Sequence, residues 1–183
     1  MVSLFSLWLP ILLSAVAVWI ISFIVWVVLP HHKSDYKKVA NEDAARDALK
    51  GLKPGLYNVP HVTARSDLQK PEVQKIFNDG PNGFLTILPN GIPTMGKSMI
   101  LSFIFYLAVS FMVGYVVRIT VPAGADYLLV FRIAGTVAWL AYGFGLIQEA
   151  VWFGRPWSAI FKNLFDALLY GLVTARFFGW LWP

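Results

Sequence analysis

The stretch GIPTMGKS at residues 91–98 matches the pattern G-x-x-x-x-G-K-[ST]. In nucleotide hydrolases this pattern forms a loop whose backbone N–H groups and lysine hold phosphate. That loop lies between a buried strand of a parallel sheet and a soluble helix, and a second strand supplies an aspartate for magnesium. Residues 84–88 have the composition of a strand, but Ser98 is followed by an apolar run long enough to span a membrane.

Two other features of the neighbouring sequence argue against nucleotide hydrolysis. Pro93 removes one N–H donor from the loop, and residues 30–97 contain no apolar run ending in aspartate that could be the partner strand. We therefore interpret the string as a turn at the membrane surface, with Lys97 at the lipid headgroups and Ser98 as the cap of the next helix. We expect no enzymatic activity and no cofactor.

His31 and His32 lie directly after the first apolar run, and imidazole is a common ligand of zinc, copper and iron. Adjacent residues of an α-helix point about 100° apart, so the two rings share one ion only if a turn brings them together. No His-x-x-x-His pair or carboxylate cluster completes a coordination set, and the chain has no cysteine. The pair is a candidate metal site, but the sequence favours interfacial histidines beside a basic segment.

Five ionisable residues fall within or beside the last two apolar runs: Asp166, Glu149, Lys162, Arg132 and Arg176. A charge inside a bilayer costs a few kcal/mol or more, and it usually faces a partner or a cavity. Arg132 and Arg176 are close enough to the outer surface to extend their charges toward it. Asp166 is the deepest of the five, about nine residues into the last apolar run.

The sequence leaves three explanations of Asp166 open. Lys162, four residues earlier, offers a local ion pair, and a group on another helix or subunit offers a second kind of partner. The third explanation is a proton or substrate site. Its possible polar neighbours are Tyr142, Gln148, Glu149, Asn163 and Tyr170. Of the three, we expect structural pairing.

Small residues form a stripe on the third apolar run, at Ala134, Ala138, Ala141 and Gly145. Their spacing of i, i+4, i+7 and i+11 places them on one face of a helix, and small residues let membrane helices approach closely. Packing inside one bundle and an interface with a partner both explain such a face. The sequence favours packing inside the bundle.

The composition predicts the elements that position these residues. Hydrophobic residues make up 57% of the 183 residues and charged residues 14%, whereas a soluble domain carries about 25% charged residues. Four apolar runs, at about 4–29, 99–121, 127–151 and 157–182, reach the roughly 20 residues that a membrane span needs. The sequence thus predicts an all-α integral membrane protein with four transmembrane helices, three of them within residues 98–183.

The first of these runs is expected to be retained as a helix. It lacks the basic start and the small-residue cleavage site of a signal peptide. Ten of the fifteen Lys and Arg residues lie in residues 30–97, and positive charge marks the cytoplasmic side of a membrane protein. We therefore expect a bacterial-type inner membrane, with residues 30–97 in the cytoplasm and both termini outside.

Residues 30–97 carry the signals of a small mixed α/β insertion. An asparagine cap followed by acids predicts a helix at about 42–50, and a proline at the first helical position predicts another at about 71–78. The runs 56–59 and 84–88 have the composition of short strands. Because the insertion is poor in apolar residues, we expect it to lean on the membrane or on a partner.

These features predict a non-enzymatic accessory, assembly or scaffold subunit that acts through its basic insertion and its packing faces. The expected partners are the lipid bilayer and another membrane protein or a second copy of the chain, with no nucleic acid. The alternative is a small oligomeric transporter or channel that uses Asp166 and Glu149. Four spans rarely enclose a pathway alone, so this alternative requires an oligomer.

Overall fold

The computed structural model describes residues 2–183, is 71% helical and contains one two-stranded sheet. In chain order the elements are α1 (Trp8–Phe23), α2 (Glu42–Leu49), β1 (Gly55–Val59), α3 (Pro71–Asp79), β2 (Gly83–Ile87), α4 (Met95–Thr120), α5 (Tyr127–Gly143), α6 (Ile147–Phe153) and α7 (Trp157–Trp180). They form two compact units. We call the unit up to Tyr36 together with Thr94–Pro183 the bundle, and Lys37–Pro93 the insertion.

Three stretches of the bundle are long and apolar enough to cross a membrane: Phe5–Val28, Met95–Thr120 and Tyr127–Phe153. The helix α7 is also long, at 24 residues. It is less apolar because it carries Lys162, Asp166 and Arg176.

The four long helices of the bundle pack as a ring, with α1 against α4 and α7, and α5 against α7 and α4. The closest approach is between α5 and α7, where small residues face each other. A Cβ added to Gly171 would lie 3.1 Å from the Gly135 carbonyl oxygen and 3.2 Å from the Trp139 backbone nitrogen. Such contacts are how small residues let helix backbones come together.

The stripe of small residues divides between the inside and the outside of the bundle. Ala134 and Ala138 are fully buried, whereas Ala141 and Gly145 are exposed. Ala141 faces outward within α5 itself, whereas Gly145 lies beyond the end of α5 at Gly143, in a 3₁₀ turn over Phe144–Leu146 that precedes α6. The sequence predicted one continuous helix here, but glycine is a weak helix former, and the break rotates the last member of the stripe off the common face.

The first helix also changes form before it ends. It continues as a π-helix over Ile24–Val28 and is followed by a 3₁₀ turn over Pro30–Asp35. Pro30 lacks an N–H group and disfavours the α conformation at the residue before it, which explains the extended backbone of Leu29 at ψ 145°. Both histidines of the candidate metal site therefore lie in a 3₁₀ turn and not in an α-helix.

The insertion is ordered by local contacts. Its strands pair antiparallel from Gly55 opposite Ile87 to Val59 opposite Gly83, and the Asn41 side chain caps α2 by accepting the Ala44 N–H at 3.1 Å. The structure describes all of residues 37–93, and none of them is buried.

The GIPTMGKS string joins the insertion to the bundle. Strand β2 precedes it in an antiparallel pair, where a phosphate-binding loop normally follows a strand of a parallel sheet. The helix α4 begins at Met95 after Thr94, with no side-chain cap. The expectation that Ser98 caps this helix is wrong, because Ser98 already lies inside its first turns.

Candidate functional site

A cluster of polar side chains joins the end of the first helix to the beginning of α7. The π segment and the 3₁₀ turn after it supply Trp26, His31, His32 and Asp35, while α7 supplies Lys162 and Asp166. We call His31, His32, Asp35, Lys162 and Asp166 the inner cluster.

His32 lies at the centre of the inner cluster between two carboxylates. Its Nδ1 is 2.6 Å from Asp35 Oδ2, and its Nε2 is 2.7 Å from Asp166 Oδ2. The Trp26 indole stacks on the imidazole, with ring centroids 3.7 Å apart and planes inclined by 8°. Since the side chains of His32, Asp35 and Asp166 are each only 5% exposed, the ring is held by packing as well as by hydrogen bonds.

Lys162 binds the 3₁₀ turn with all three of its N–H donors. It donates to Asp35 Oδ1 at 2.6 Å, to Ser34 Oγ at 2.7 Å and to the His31 carbonyl oxygen at 2.9 Å. The hydrogen bond from Lys162 is the main cause that lowers the pKa of Asp35 below its ordinary value. Burial of the carboxyl opposes this change, and the hydrogen bond with His32 adds to it.

His31 reaches the same aspartate from the more exposed side of the inner cluster. Its Nε2 lies 3.3 Å from Asp166 Oδ1, and its side chain is 32% exposed. The Nε2 atom itself is buried and has no partner in hydrogen-bond geometry among the described residues. Two imidazole nitrogens therefore converge on one carboxylate, and only one of them is hydrogen-bonded to it.

The comparisons with known proteins add no family. No family model, no curated protein and no solved structure matches the chain.

A cavity of about 250 Å³ adjoins the inner cluster inside the bundle. Its lining includes Asp166, Asn163, Tyr142 and Tyr170, but neither Gln148 nor Glu149. The Tyr170 hydroxyl lies near the Trp26 indole and the Tyr142 hydroxyl near Ser110 and Thr174, in both cases without hydrogen-bond geometry. Three of the polar neighbours proposed for Asp166 from the sequence therefore share a cavity with it.

The other residues singled out in the sequence lie apart from this site. Glu149, Arg132, Arg176 and Lys97 are all exposed. Arg176 donates to the Tyr127 hydroxyl at 3.4 Å, and its guanidinium lies 5.8 Å from the centroid of that ring.

The local pair between Lys162 and Asp166 is absent from the described residues. Lys162 binds Asp35 instead, while Asp166 faces the histidines. Asp35 was not identified from the sequence, although its i, i+3 spacing from His32 is a detectable sign of a local carboxylate–imidazole pair. The contact between Asp166 and the histidines has no such sign, because more than 130 residues separate them.

Proposed function

We propose that the protein is an integral membrane protein of the inner (plasma) membrane with four spans, both termini outside and residues 30–97 in the cytoplasm. Three stretches meet the requirements of length and composition. The burial of Asp166 supports α7 as the fourth, since its charge is turned into the inner cluster. Ionisable residues of membrane helices usually face a partner or a cavity in this way.

The outer surface of the bundle fits a lipid environment. Large apolar side chains are exposed along all of the long helices, among them Ile20, Ile104, Phe111, Leu140, Phe165 and Leu172. Apolar exposure on this scale is rare on a soluble monomer. In a bilayer these side chains would contact lipid tails.

Within the membrane, the role we assign is that of a non-enzymatic accessory or assembly subunit that binds another membrane protein through its insertion. The observation that carries this proposal is the absence of any buried residue in Lys37–Pro93, all of which the structure describes. A two-stranded hairpin without a packed face is marginally stable in water. A partner surface would provide the missing cover.

The exposed side of the hairpin indicates where the partner would bind. Leu56 is 84% exposed and lies opposite Thr86 on the same face of the sheet. Residues 37–93 hold eight basic and six acidic residues, so the insertion is less basic than the count of Lys and Arg alone suggested, and its charges nearly balance. This balance favours a protein surface over an anionic lipid surface, which attracts segments with a large excess of Lys and Arg.

The test is a photo-crosslinking residue placed at position 56 of the full chain in native membranes. A crosslinked adduct with a different membrane protein is expected, and the substitution Leu56→Ser should abolish co-purification of that protein in mild detergent. Thr86→Ser is the matched control, since it alters the same face of the hairpin without removing a large apolar group. An adduct formed only with a second copy, or no adduct, would contradict the proposal.

Transport through Asp166 and Glu149 is the less favoured alternative. Asp166 is tied into the inner cluster, whereas Glu149 is exposed on α6. A reconstituted flux assay on Asp166→Asn addresses this alternative directly, because a transporter that uses this carboxylate would lose activity.

A further inference from the structure

We propose that His31, His32 and Asp166 bind one divalent transition-metal ion of the first row. Each of the three side chains offers one ligand atom, and these atoms lie within 4.8 Å of one another. Two imidazoles and one carboxylate form a donor set typical of zinc and of non-haem iron, with further coordination positions left open. The site goes beyond the accessory role, which does not require a metal.

One distance between ligand atoms is already that of a zinc site. Zinc binds imidazole nitrogen and carboxylate oxygen at about 2.0–2.2 Å, so two ligand atoms in a tetrahedral site lie about 3.4 Å apart. The 3.3 Å between His31 Nε2 and Asp166 Oδ1 is close to this value. The 2.7 Å between His32 Nε2 and Asp166 Oδ2 is that of a hydrogen bond, so the carboxylate has to turn before an ion can bind between these two atoms.

The surroundings of His32 match those of a metal-binding histidine. Such a residue usually donates its second ring N–H to a carboxylate, which fixes the orientation of the ring and the nitrogen that faces the metal. Asp35 is placed for this role at 2.6 Å from Nδ1, and Lys162 holds Asp35 from the other side. Asp35 is thus a positioning residue, and Nε2 is the ligand atom.

The orientation of His31 argues for a metal over a purely structural ion pair. The hydrogen bond from His32 already satisfies Asp166 Oδ2, yet His31 also turns its Nε2 toward the same carboxylate. That nitrogen is buried without a hydrogen bond among the described residues, and an unsatisfied buried polar atom destabilises the folded state. Coordination to an ion would satisfy it.

The chemistry of the donors narrows the class of ion. Calcium and magnesium take mainly oxygen ligands, so a site with two imidazoles does not suit them. Copper(I) prefers thiolate ligands, and this chain has no cysteine. The partly exposed His31 provides access from the surface of the bundle. The cavity beside Asp166 has room for a water molecule as a further ligand.

The experiment uses the purified full chain in detergent, with Zn²⁺ alone as the probe and a chromophoric chelator as the competitor. We expect one ion per chain. Co²⁺ in place of Zn²⁺ should give visible absorption bands of a low-coordinate site with nitrogen and oxygen ligands.

His31→Ala is the decisive variant because His31 makes no hydrogen bond through its ring among the described residues. It should weaken Zn²⁺ binding at least about tenfold, since outer partners alone are worth about 10–100-fold. Asp35→Asn should weaken it by about 10–100-fold without changing the number of ions bound. His61→Ala alters an exposed histidine of the insertion and should leave the affinity unchanged.

Three results would overturn the proposal. They are a chain that binds no Zn²⁺ or Co²⁺, a His31→Ala variant with wild-type affinity, and loss of binding in His61→Ala. His31→Gln serves as a second variant if His31→Ala unfolds at a lower temperature than the wild type.

Discussion

The bundle and the insertion are ordered by different kinds of contact. In the bundle, ion pairs with buried carboxylates join residues far apart in sequence, such as Lys162 and Asp35. In the insertion they are exposed and local, as between Lys50 and Asp47. Removing a buried polar partner in the bundle should therefore lower the free energy of unfolding strongly. The order of the insertion depends instead on helix caps, turns and one hairpin.

Of the substitutions that compare the bundle with the insertion, Lys162→Met is expected to lower the free energy of unfolding most. The substitution leaves the buried Asp35 carboxylate with one partner, and removing one member of a buried pair costs about 3–5 kcal/mol. Because Lys162 is 24% exposed, we expect the free energy of unfolding to fall by about 3 kcal/mol. Denaturant titration in detergent measures it.

The matched control for this prediction is Lys50→Met. The Lys50 and Asp47 side chains are 82% and 69% exposed, and an exposed ion pair contributes at most about 1 kcal/mol. Equal losses in the two variants would show that the buried and exposed pairs do not differ as described.

A smaller effect is expected from Gly171→Ala at the contact between α5 and α7. The added methyl group meets the backbone of α5 at 3.1–3.2 Å, and overpacking of this kind costs about 1–3 kcal/mol. Thermal unfolding should show a lower midpoint. Gly96→Ala in α4 is the control, because a Cβ there meets no atom within 4 Å; an equal loss of stability in that variant would refute the packing argument.

The smallest effect is expected from Asn41→Ala in the insertion. Loss of the cap on α2 costs about 1 kcal/mol. Hydrogen exchange should become faster at the amides of Glu42–Leu49 and stay unchanged in α7. Asn41→Asp keeps an oxygen acceptor at the cap and should exchange like the wild type, so faster exchange in that variant would exclude the cap as the cause.

The elements of the insertion could be read from the sequence because their signals are local. Asn41 and Pro71 mark the starts of α2 and α3, and both helices begin within a residue of these positions. The three apolar stretches were equally visible, since length and composition alone identify them.

The inner cluster could not be read in the same way. We predicted Lys162 as the partner of Asp166 because residues four apart are neighbours on a regular α-helix. On the same geometry, the adjacent rings of His31 and His32 were expected to point in different directions. The π segment and the turn after Pro30 depart from that geometry and carry both histidine rings to α7. No local sequence pattern predicts the contact between His32 and Asp166, because 134 positions separate them in the chain.

The π segment at Ile24–Val28 also determines the direction, around the axis of the first helix, in which the turn Pro30–Asp35 and its histidines point. A π turn accommodates one residue more than an α turn, and each residue of an α-helix turns the chain by about 100°. If the same five residues were wound as a regular α-helix at unchanged length, the extra residue would turn the chain further and shift the histidines around the helix axis by roughly that angle. The cluster would then be dismantled with all of its own side chains still present, so its integrity depends on the winding of a segment that supplies only Trp26 to the site.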